Sequence, residues 1–340
     1  MRMKSLNIVF PKMMEVTVVE EEVKEPGEQQ VLIKAEKSLI SAGTELRCLQ
    51  GQFDPGTNWS GWVQYPFKPG YSMAGTVVKT GKNVDQFRPG DRVVTMLPHA
   101  QYALDSAANL INVPEGLSAE EAAWQPLGVV TQIGVRRAGI ALGESVGIVG
   151  AGALGQLVIQ YLRLSGVRRI IAIDLNESRL ELARKNGADL CLKLPAQEAI
   201  AEVKRLTSGR MLDVVFDVTG LPTVLSSVTQ MARRMGRVVL LGDNTMPSKQ
   251  FLGPNVVSDS ISILGTHGSL CPSVGTEFNP WTWKEMAGLF FDFIKDARLD
   301  VKRLTHARYS PREAAAVYSR LSSSKESVLG MMFDWTLLEK

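Results

Sequence analysis

The feature that most constrains this chain is a strand–turn–helix–strand unit between Val146 and Asp174. The run 146–149 is apolar and β-rich, and the glycine turn 150–155, of sequence GAGALG, follows it directly. A helix is predicted next, because apolar residues recur at helical spacing at Leu154, Leu157, Val158, Tyr161 and Leu162. The run 169–173 is a second buried strand that ends on Asp174. Such a unit, with an acid about 20 residues beyond the turn, predicts a dinucleotide-binding βαβ fold.

Each glycine of the turn has a predicted role in holding a dinucleotide. Gly150 permits the tight turn, Gly152 lets a pyrophosphate approach the backbone, and Gly155 lets the helix pack on the strand. The free N–H groups of the helix then face the phosphates. The candidate cofactor-binding residues are Gly150, Gly152, Ala153, Leu154, Gly155, Asp174, Leu175, Arg179, Thr219, Gly242 and Thr266.

Asp174 bears on the choice of cofactor. A carboxylate at this strand tip accepts hydrogen bonds from the adenosine ribose and repels a 2′-phosphate, which favours NAD over NADP. Arg179 is the opposing signal, since an arginine near the tip can accommodate NADP. A second interpretation of Asp174 is a helix-capping residue with no cofactor role.

The bulk composition bounds the class of protein. A chain of 340 residues predicts two domains, and 45% hydrophobic with 21% charged residues is typical of a globular protein. A net charge of +3 with scattered Lys and Arg indicates no nucleic-acid partner, and no apolar run is long enough to cross a membrane. The three cysteines form no CxxC pair, so we expect them to be reduced in a cytoplasmic protein.

The pattern of elements changes near Ala122. Before it, short strand-like runs separated by turn signals predict a compact β-rich domain, with a turn at 41–46 and a loop around 59–67. After it, strands alternate with helices, which predicts a doubly wound parallel sheet. The tail from about Leu299 ends in a strand-like run that we expect to return to the first domain.

The chain resembles the medium-chain dehydrogenase/reductase superfamily, and within it the polyol and sorbitol dehydrogenase-like branch. The segments that carry the resemblance are 41–45 (SAGTE), 69–72 (PGYS), 89–93 (PGDRV), 125–127 (QPL) and the GAGALG turn. The resemblance implies a GroES-like catalytic domain at 1–122, completed by 298–340, and a Rossmann cofactor domain at 123–297. It also implies an active site in the cleft and a homodimer or homotetramer.

The chain departs from the superfamily at its zinc ligands. Zinc-dependent members supply a Cys where this chain has Ala42, a His-Glu pair where it has Tyr71-Ser72, and a Glu at Gln125. The four-cysteine structural zinc lobe is also missing after Val94. Because a catalytic zinc needs about three protein ligands, the sequence predicts a protein without a metal.

The candidate catalytic residues are Thr44, Tyr71 and His267. Thr44 keeps the position of the superfamily's proton relay, although a turn-stabilising role fits it equally well. Tyr71 takes the place of a metal-ligating His, and a phenol is a better acid than base at neutral pH. His267 follows the last predicted strand of the sheet, and imidazole suits proton transfer near neutral pH. The candidate substrate-binding residues are Glu45, Trp59, Trp62, His99 and Gln125, with ordinary packing as the alternative for the tryptophans.

The sequence thus predicts an NAD-dependent, zinc-independent oxidoreductase that moves hydride to or from a secondary alcohol or carbonyl carbon. The expected substrate is a small polyhydroxylated or aromatic molecule such as a sugar, cyclitol or polyol. Two alternatives remain open. One is an NAD(P)H-dependent reductase of activated C=C bonds or quinones, and the other is a dinucleotide-binding protein that has lost its chemistry.

Overall fold

The structure, a computed structural model, describes residues 3–323 and 329–339. The chain divides into two compact units. Unit 1 comprises Met1–Pro126, Ala287–Lys295 and Val301–Lys340, and unit 2 comprises Leu127–Met286 and Asp296–Asp300. Within the described ranges, no helix has the length and apolar character needed to span a membrane.

The bounds of the elements are as follows. The strands are β1 (Lys4–Val9), β2 (Thr17–Glu22), β3 (Gln30–Leu39), β4 (Met73–Thr80), β5 (Arg92–Thr95), β6 (Tyr102–Ser106), β7 (Ile111–Asn112), β8 (Ser145–Val149), β9 (Arg169–Ile173), β10 (Leu190–Leu192), β11 (Leu212–Asp217), β12 (Ala232–Leu240), β13 (Ser262–Gly265), β14 (Ala307–Tyr309) and β15 (Met331–Asp334). The α-helices are α1 (Ala42–Gln50), α2 (Asn58–Trp62), α3 (Ala119–Ala122), α4 (Gln125–Arg137), α5 (Ala153–Leu164), α6 (Glu177–Lys185), α7 (Ala196–Leu206), α8 (Leu225–Met231), α9 (Trp283–Lys295) and α10 (Ala314–Ser323).

Unit 2 is built on a parallel sheet in the order β10-β9-β8-β11-β12-β13. The strand order reverses between β8 and β11, which defines a doubly wound sheet with its switch point there. Strand β11 is buried along its whole length, as expected for a central strand covered on both faces. The predicted α/β fold class is therefore confirmed for this part of the chain.

The carboxyl ends of these strands lie side by side. Val149 at the end of β8 pairs with Ile173 of β9 and with Asp217 of β11. The glycine turn, Asp174 and the segment that begins at Val218 therefore leave neighbouring strands at the same edge of the sheet. In doubly wound sheets, ligands bind at this edge, at the switch point.

Unit 1 contains a mostly antiparallel sheet in the order β14-β15-β3-β4-β5-β7, with β6 also paired to β3. Strand β15, near the end of the chain, pairs antiparallel with β3, and Phe333 lies opposite Ser38. The β1–β2 hairpin forms a separate pair. The main core of this unit packs around Phe10, Met73, Tyr318, Phe333 and Trp335.

Two local predictions were wrong. Residues 42–50 form α1 instead of part of a turn, because Glu45 caps the helix start and Cys48 and Leu49 pack in the core. In the predicted loop at 59–67, residues 58–62 form the short helix α2, whose first turn is capped by the Thr57 hydroxyl accepting from Ser60 N–H at 3.3 Å. In both cases a capping side chain stabilises the first turn of a helix.

Candidate active site and cofactor site

Three hydroxyl groups meet at the start of α1 in unit 1. Tyr71 Oη donates to Ser41 Oγ at 2.6 Å, and Thr44 Oγ1 lies 3.3 Å from Tyr71 Oη. Ser41 Oγ in turn donates to Thr44 Oγ1 at 3.4 Å. All three residues are half-buried, whereas Glu45 on the next position of the helix is 1% exposed. The structure therefore brings two predicted catalytic residues, Thr44 and Tyr71, into one hydroxyl cluster together with Ser41.

The hydroxyl groups of this cluster can act as hydrogen-bond donors to a ligand. Burial, together with the negative charge of Glu45, raises the pKa of the Tyr71 phenol, and the hydrogen bonds to Ser41 and Thr44 oppose this only in part. The phenol therefore stays protonated at neutral pH and can donate. Because the three hydroxyls donate mainly to one another, either Thr44 or Tyr71 can redirect its proton to an incoming oxygen.

Ser41 was missed by sequence reasoning. A serine at the N-cap of a helix ordinarily accepts a backbone N–H with its hydroxyl. Ser41 occupies the N-cap of α1 but makes no such bond, and its hydroxyl accepts from Tyr71 instead. The segment SAGTE was predicted only as part of a turn, so nothing in it singled out the serine.

The predicted substrate-binding residues Glu45 and His99 lie beneath this cluster. Glu45 Oε1 accepts from Ser41 N–H at 2.7 Å, and Glu45 Oε2 lies 3.1 Å from His99 Nε2. Tyr318 Oη also donates to Glu45 Oε2. His99 is 1% exposed, so both predicted residues are held within the core of unit 1.

The other predicted substrate-binding residues are spread over unit 1. Trp59 is buried and stacks on Phe53, whereas Trp62 is 44% exposed and packs edge-on against Phe67. Gln125, the first residue of α4, is 1% exposed, and neither polar atom of its amide has a hydrogen-bond partner among the described residues. A buried amide without partners is costly, which makes Gln125 a candidate for contacting a ligand.

His267 lies in unit 2, after β13. It is exposed, and its Nδ1 accepts from Ser269 N–H at 3.2 Å and lies 2.6 Å from Ser269 Oγ. These contacts make it the N-cap of a short 3-10 turn that begins at Gly268. Its observed contacts are therefore those of a capping residue.

The glycine turn of unit 2 has the geometry that a dinucleotide requires. Gly150 has φ +97°, a left-handed conformation that favours glycine. A Cβ on Gly155 would lie 2.1 Å from Gly150 O, so only glycine allows α5 to pack this closely. A Cβ on Gly152 would meet nothing within 4 Å, and no side chain caps the start of α5. Open space therefore lies where a pyrophosphate would approach the free N–H groups.

Asp174 lies directly after β9. Its Oδ2 accepts from Ala151 N–H at 2.7 Å and its Oδ1 accepts from Asn176 N–H at 2.9 Å. Arg179 Nη1 is 3.9 Å from Asp174 Oδ2, and Arg179 Nε is buried without a hydrogen-bond partner in the described residues. Asp174, which favours NAD, and Arg179, which favours NADP, thus lie next to each other. Leu175, which follows Asp174, is 67% exposed.

The remaining cofactor candidates follow the other strands of the sheet. Thr219, after β11, donates from N–H and Oγ1 to Asp217 Oδ1 at 2.9 and 2.7 Å. Gly242, after β12, leaves no room for a Cβ, which would lie 2.4 Å from Gly220 N. Thr266, after β13, donates through Oγ1 to Leu240 O at 3.1 Å. Ala153 and Leu154 are the first residues of α5.

Gln156 is a second residue that the sequence did not single out. Its buried amide nitrogen donates to Ala151 O and to Arg179 O, both at 2.9 Å, and its oxygen accepts from Asn186 Nδ2 at 2.8 Å. One side chain thus links the glycine turn to the helix that carries Arg179.

The residues at the superfamily's zinc positions do not fit a zinc ion. Ala42 has no donor atom, the Tyr71 hydroxyl is engaged with Ser41 and Thr44, and Gln125 carries a neutral amide. Across residues 3–323 and 329–339, no group of three or more His, Cys, Asp or Glu side chains could hold a metal ion. Zinc sites in proteins use such nitrogen, sulfur and carboxylate ligands. The side chains at these positions therefore provide no zinc-binding set.

Comparison with known proteins agrees with this architecture. Residues 27–135 match the family described as "Alcohol dehydrogenase GroES-like domain", and residues 153–288 match "Zinc-binding dehydrogenase". The L-threonine 3-dehydrogenase of Pyrococcus horikoshii is 30% identical over 289 residues, which cover 74% of this chain and 79% of that protein. The sorbitol dehydrogenase of Bacillus subtilis is 25% identical, over 79% of this chain and 81% of that protein.

A solved structure shares the whole fold. A protein from Sinorhizobium meliloti 1021, crystallised with NADP bound, superimposes with a TM-score of 0.82 at 21% identity, over 98% of this chain and 100% of that one. The resemblance inferred from the sequence is confirmed at the level of the superfamily. The chain belongs to the medium-chain dehydrogenase/reductase superfamily of pyridine-nucleotide-dependent oxidoreductases, in the family of zinc-binding-type alcohol and polyol dehydrogenases.

Proposed function

We propose that this protein is an NAD(H)-dependent, zinc-independent dehydrogenase of a secondary alcohol group in a sugar, cyclitol or polyol-like substrate. The observation that carries the proposal is the hydroxyl cluster of Tyr71, Ser41 and Thr44, in which Tyr71 stands at a position where the resemblance implies a zinc ligand in metal-dependent members. The similarity to a sorbitol dehydrogenase supports a polyhydroxylated substrate.

In this proposal the cluster does the work that a metal does elsewhere. Nicotinamide, when bound, supplies or accepts the hydride. Tyr71 and Thr44 donate hydrogen bonds to the reacting oxygen of the substrate and stabilise the charge that develops on it. Since the phenol stays protonated, Tyr71 serves as a donor to the oxygen and not as a base. Gln125 is proposed to bind another polar group of the substrate with its unpartnered amide.

The cofactor is held by unit 2 in this proposal. The open space at Gly152 and the uncapped start of α5 support binding of a pyrophosphate. Asp174 supports NAD, because both its oxygens retain lone pairs after accepting the backbone N–H groups. Arg179 and the NADP-bound relative favour the competing choice, NADP.

The proposal extends to the organisation of the protein. Residues 1–122 and 298–340 would form the substrate-binding domain, and residues 123–297 the cofactor domain. We propose that the protein works in the cytoplasm, as a homodimer or homotetramer, on a small molecule and without nucleic-acid or membrane partners. Analytical ultracentrifugation of the purified protein checks the assembly, and a monomer would contradict it.

A substrate and cofactor screen tests the function. The purified protein is assayed with NAD⁺ and with NADP⁺ against sugars, cyclitols and polyols, and with NADH and NADPH against enones and quinones. We expect turnover with NAD⁺ and a polyhydroxylated alcohol, strongly reduced in Tyr71→Phe. Turnover confined to NADPH with enones or quinones would replace the proposal by the reductase alternative. Tight NADH binding without turnover on either panel would favour a binding protein.

A further inference from the structure

A buried chain of hydrogen bonds underlies the hydroxyl cluster. The Glu45 carboxylate accepts from Ser41 N–H and from Tyr318 Oη, and its Oε2 lies 3.1 Å from His99 Nε2. An ionised carboxylate can only accept hydrogen bonds, so each of the three neighbours must donate. Burial and the nearby Glu45 charge raise the pKa of Tyr318, which keeps that phenol protonated as the donor. It follows that His99 Nε2 carries a proton.

The other ring nitrogen of His99 fixes the protonation state of the imidazole. His99 Nδ1 lies 2.7 Å from Ser38 Oγ, and Ser38 Oγ accepts from Trp335 Nε1–H at 2.9 Å. If Nδ1 is unprotonated, the Ser38 hydroxyl donates to it and every member of the chain has a partner. If Nδ1 is protonated, both His99 Nδ1–H and Trp335 Nε1–H donate to Ser38 Oγ. The Ser38 hydroxyl proton then no longer has Nδ1 as its acceptor. The neutral Nε2–H tautomer is therefore the arrangement that satisfies the chain.

Both sides of the Tyr71–Ser41 contact rest on this buried pair. On one side, Glu45 Oε1 holds the backbone N–H of Ser41, whose hydroxyl accepts from Tyr71. On the other side, the backbone N–H of His99 donates to Pro69 O at 2.8 Å. The His99 ring also packs against Gly70, where an added Cβ would lie 2.7 Å from the ring carbon Cδ2. Tyr71 follows Gly70 directly, so His99 contacts the turn that delivers the phenol.

The surroundings of the pair come from several elements of unit 1. Tyr318 faces Glu45 from α10, and Cys48 lies near it on α1. Burial and the Glu45 charge raise the pKa of the Cys48 thiol, which leaves it neutral. The Phe333 ring packs edge-on against His99 at 5.1 Å between centroids. Glu45 therefore belongs to a buried polar network, and such a network stabilises a single arrangement when every partner is satisfied.

We propose that Glu45 and a neutral, Nε2-protonated His99 are positioning residues that hold the hydroxyls of Ser41 and Tyr71 in place for the substrate oxygen. The proposal rests on the proposed function only in taking Tyr71 as the group that meets that oxygen. A role in catalysis through Tyr71 differs from simple core packing, because loss of the pair then lowers turnover in a protein that is still folded.

The first test reads the imidazole directly and needs no activity. The chain has three histidines, so ¹⁵N NMR of the histidine-labelled protein at neutral pH resolves few signals, and His99→Gln assigns those of His99. We expect one protonated nitrogen, Nε2, and one unprotonated nitrogen, Nδ1. A protonated Nδ1, in either the other tautomer or the imidazolium, would overturn the proposed hydrogen-bond chain. This result stands even if the screen finds no dehydrogenase activity.

The second test compares variants of the pair. His99→Gln keeps an amide donor for Glu45, whereas His99→Phe and Glu45→Gln break the chain. We expect the latter two to lower kcat about 10–10²-fold, the scale of a misplaced catalytic group, with NAD affinity unchanged and kcat partly retained in His99→Gln. His306→Gln is the control, since His306 is exposed and its Nδ1 lies 3.0 Å from Leu304 O, so this variant should keep wild-type turnover.

The outcome is judged on folded variants. Near-UV circular dichroism and a cooperative thermal transition establish folding, and ¹³C NMR of the Tyr71 phenol carbon reports its hydrogen bonding. A changed Tyr71 signal together with reduced kcat in His99→Phe supports positioning. Wild-type kcat and an unchanged Tyr71 signal in a folded His99→Phe protein would show that Glu45 and His99 serve only in core packing. If Glu45→Gln fails to fold, the His99 variants still decide.

Discussion

Tyr71 Oη donates to Ser41 Oγ at 2.6 Å, although the two residues are 30 positions apart in the chain. Ser41 stands at the N-cap of α1, yet its hydroxyl serves the phenol and not the helix. The first turn of the helix does not need this hydroxyl, because Thr44 N–H donates to Ser41 O at 3.0 Å and the Glu45 carboxylate accepts the N–H of Ser41. One helix start thereby becomes a place where hydroxyl protons can be directed at a ligand.

Removing the Tyr71 hydroxyl tests its assigned role. Tyr71→Phe keeps the ring and deletes one donor, so we expect turnover to fall about 10²–10³-fold, the scale of a lost oxyanion donor. NAD affinity should be unchanged, because the proposed cofactor-binding residues lie in unit 2. Steady-state kinetics with a calorimetric NAD titration measures both. His267→Asn should have the smaller effect, and an inactive His267→Asn beside a fully active Tyr71→Phe would transfer the role to His267.

Cofactor preference should follow Asp174. Asp174→Ser removes the proposed ribose acceptor and the charge proposed to exclude a 2′-phosphate, so NAD binding should weaken by about 1–3 kcal/mol. NADP should gain relative to NAD, helped by Arg179. The ratio of dissociation constants for the two cofactors checks this. An unchanged ratio would show that Asp174 acts only as a partner of Ala151 and Asn176.

The glycine turn offers a pair of matched substitutions. In Gly155→Ala the new methyl meets Gly150 O at 2.1 Å, so we expect destabilisation of about 1–3 kcal/mol from overpacking. In Gly152→Ala the methyl enters open space, so thermal stability should be retained while NAD affinity falls. Thermal melts and NAD titrations of both variants separate the two effects. Equal stability losses would mean that Gly152 is also needed for packing.

Metal removal should have little effect. Because the zinc positions carry Ala42, Tyr71, Ser72 and Gln125, we expect turnover to survive prolonged chelation and elemental analysis to find far less than one zinc per chain. A thiol- or histidine-ligated zinc cannot be built from these side chains. One tightly bound zinc per chain, with turnover lost on its removal, would refute the proposed zinc independence.

The ion pair between Lys37 and Asp334 should make the stability of the fold depend on pH. Asp334 lies 2.5 Å from Lys37 Nζ, and although burial raises the pKa of Asp334, its bonds to Lys37 and Thr336 lower it overall. A carboxyl with a depressed folded-state pKa stabilises the fold above its unfolded value, about 3.9, and loses this as pH falls through the folded value. Lys37→Gln should therefore lower the melting temperature more at neutral pH than in strong acid.

The exposed pair Lys79–Glu25 provides the control for this experiment. Both side chains are more than half exposed, so Lys79→Gln should change stability little at either pH. Melting curves of both variants at neutral and acidic pH give the comparison. Equal losses for Lys37→Gln at the two pH values would mean that the pair acts through packing alone.

The sequence by itself determined the cofactor unit and the fold class. The turn, its helix and Asp174 are local in the chain, and their spacing alone defines a βαβ unit whose strands must run parallel. The departures from the superfamily's zinc ligands at Ala42, Tyr71, Ser72 and Gln125 could also be read from the sequence. The residue type alone shows whether a side chain carries a zinc-ligating atom. The helices at 42–50 and 58–62 were not predicted from the sequence, because short helices are stabilised by single caps and by tertiary packing.

Only the tertiary structure decided how the candidate residues are paired. Glu45 and Tyr318 are 273 positions apart and meet because the end of the chain packs into the core of unit 1. Sequence reasoning gave His99 a contact with substrate, and the fold surrounds it with Glu45, Ser38 and Gly70. A hydroxyl or imidazole can bond to many partners with similar energy, so its partner is set by which backbones the fold brings within about 3 Å.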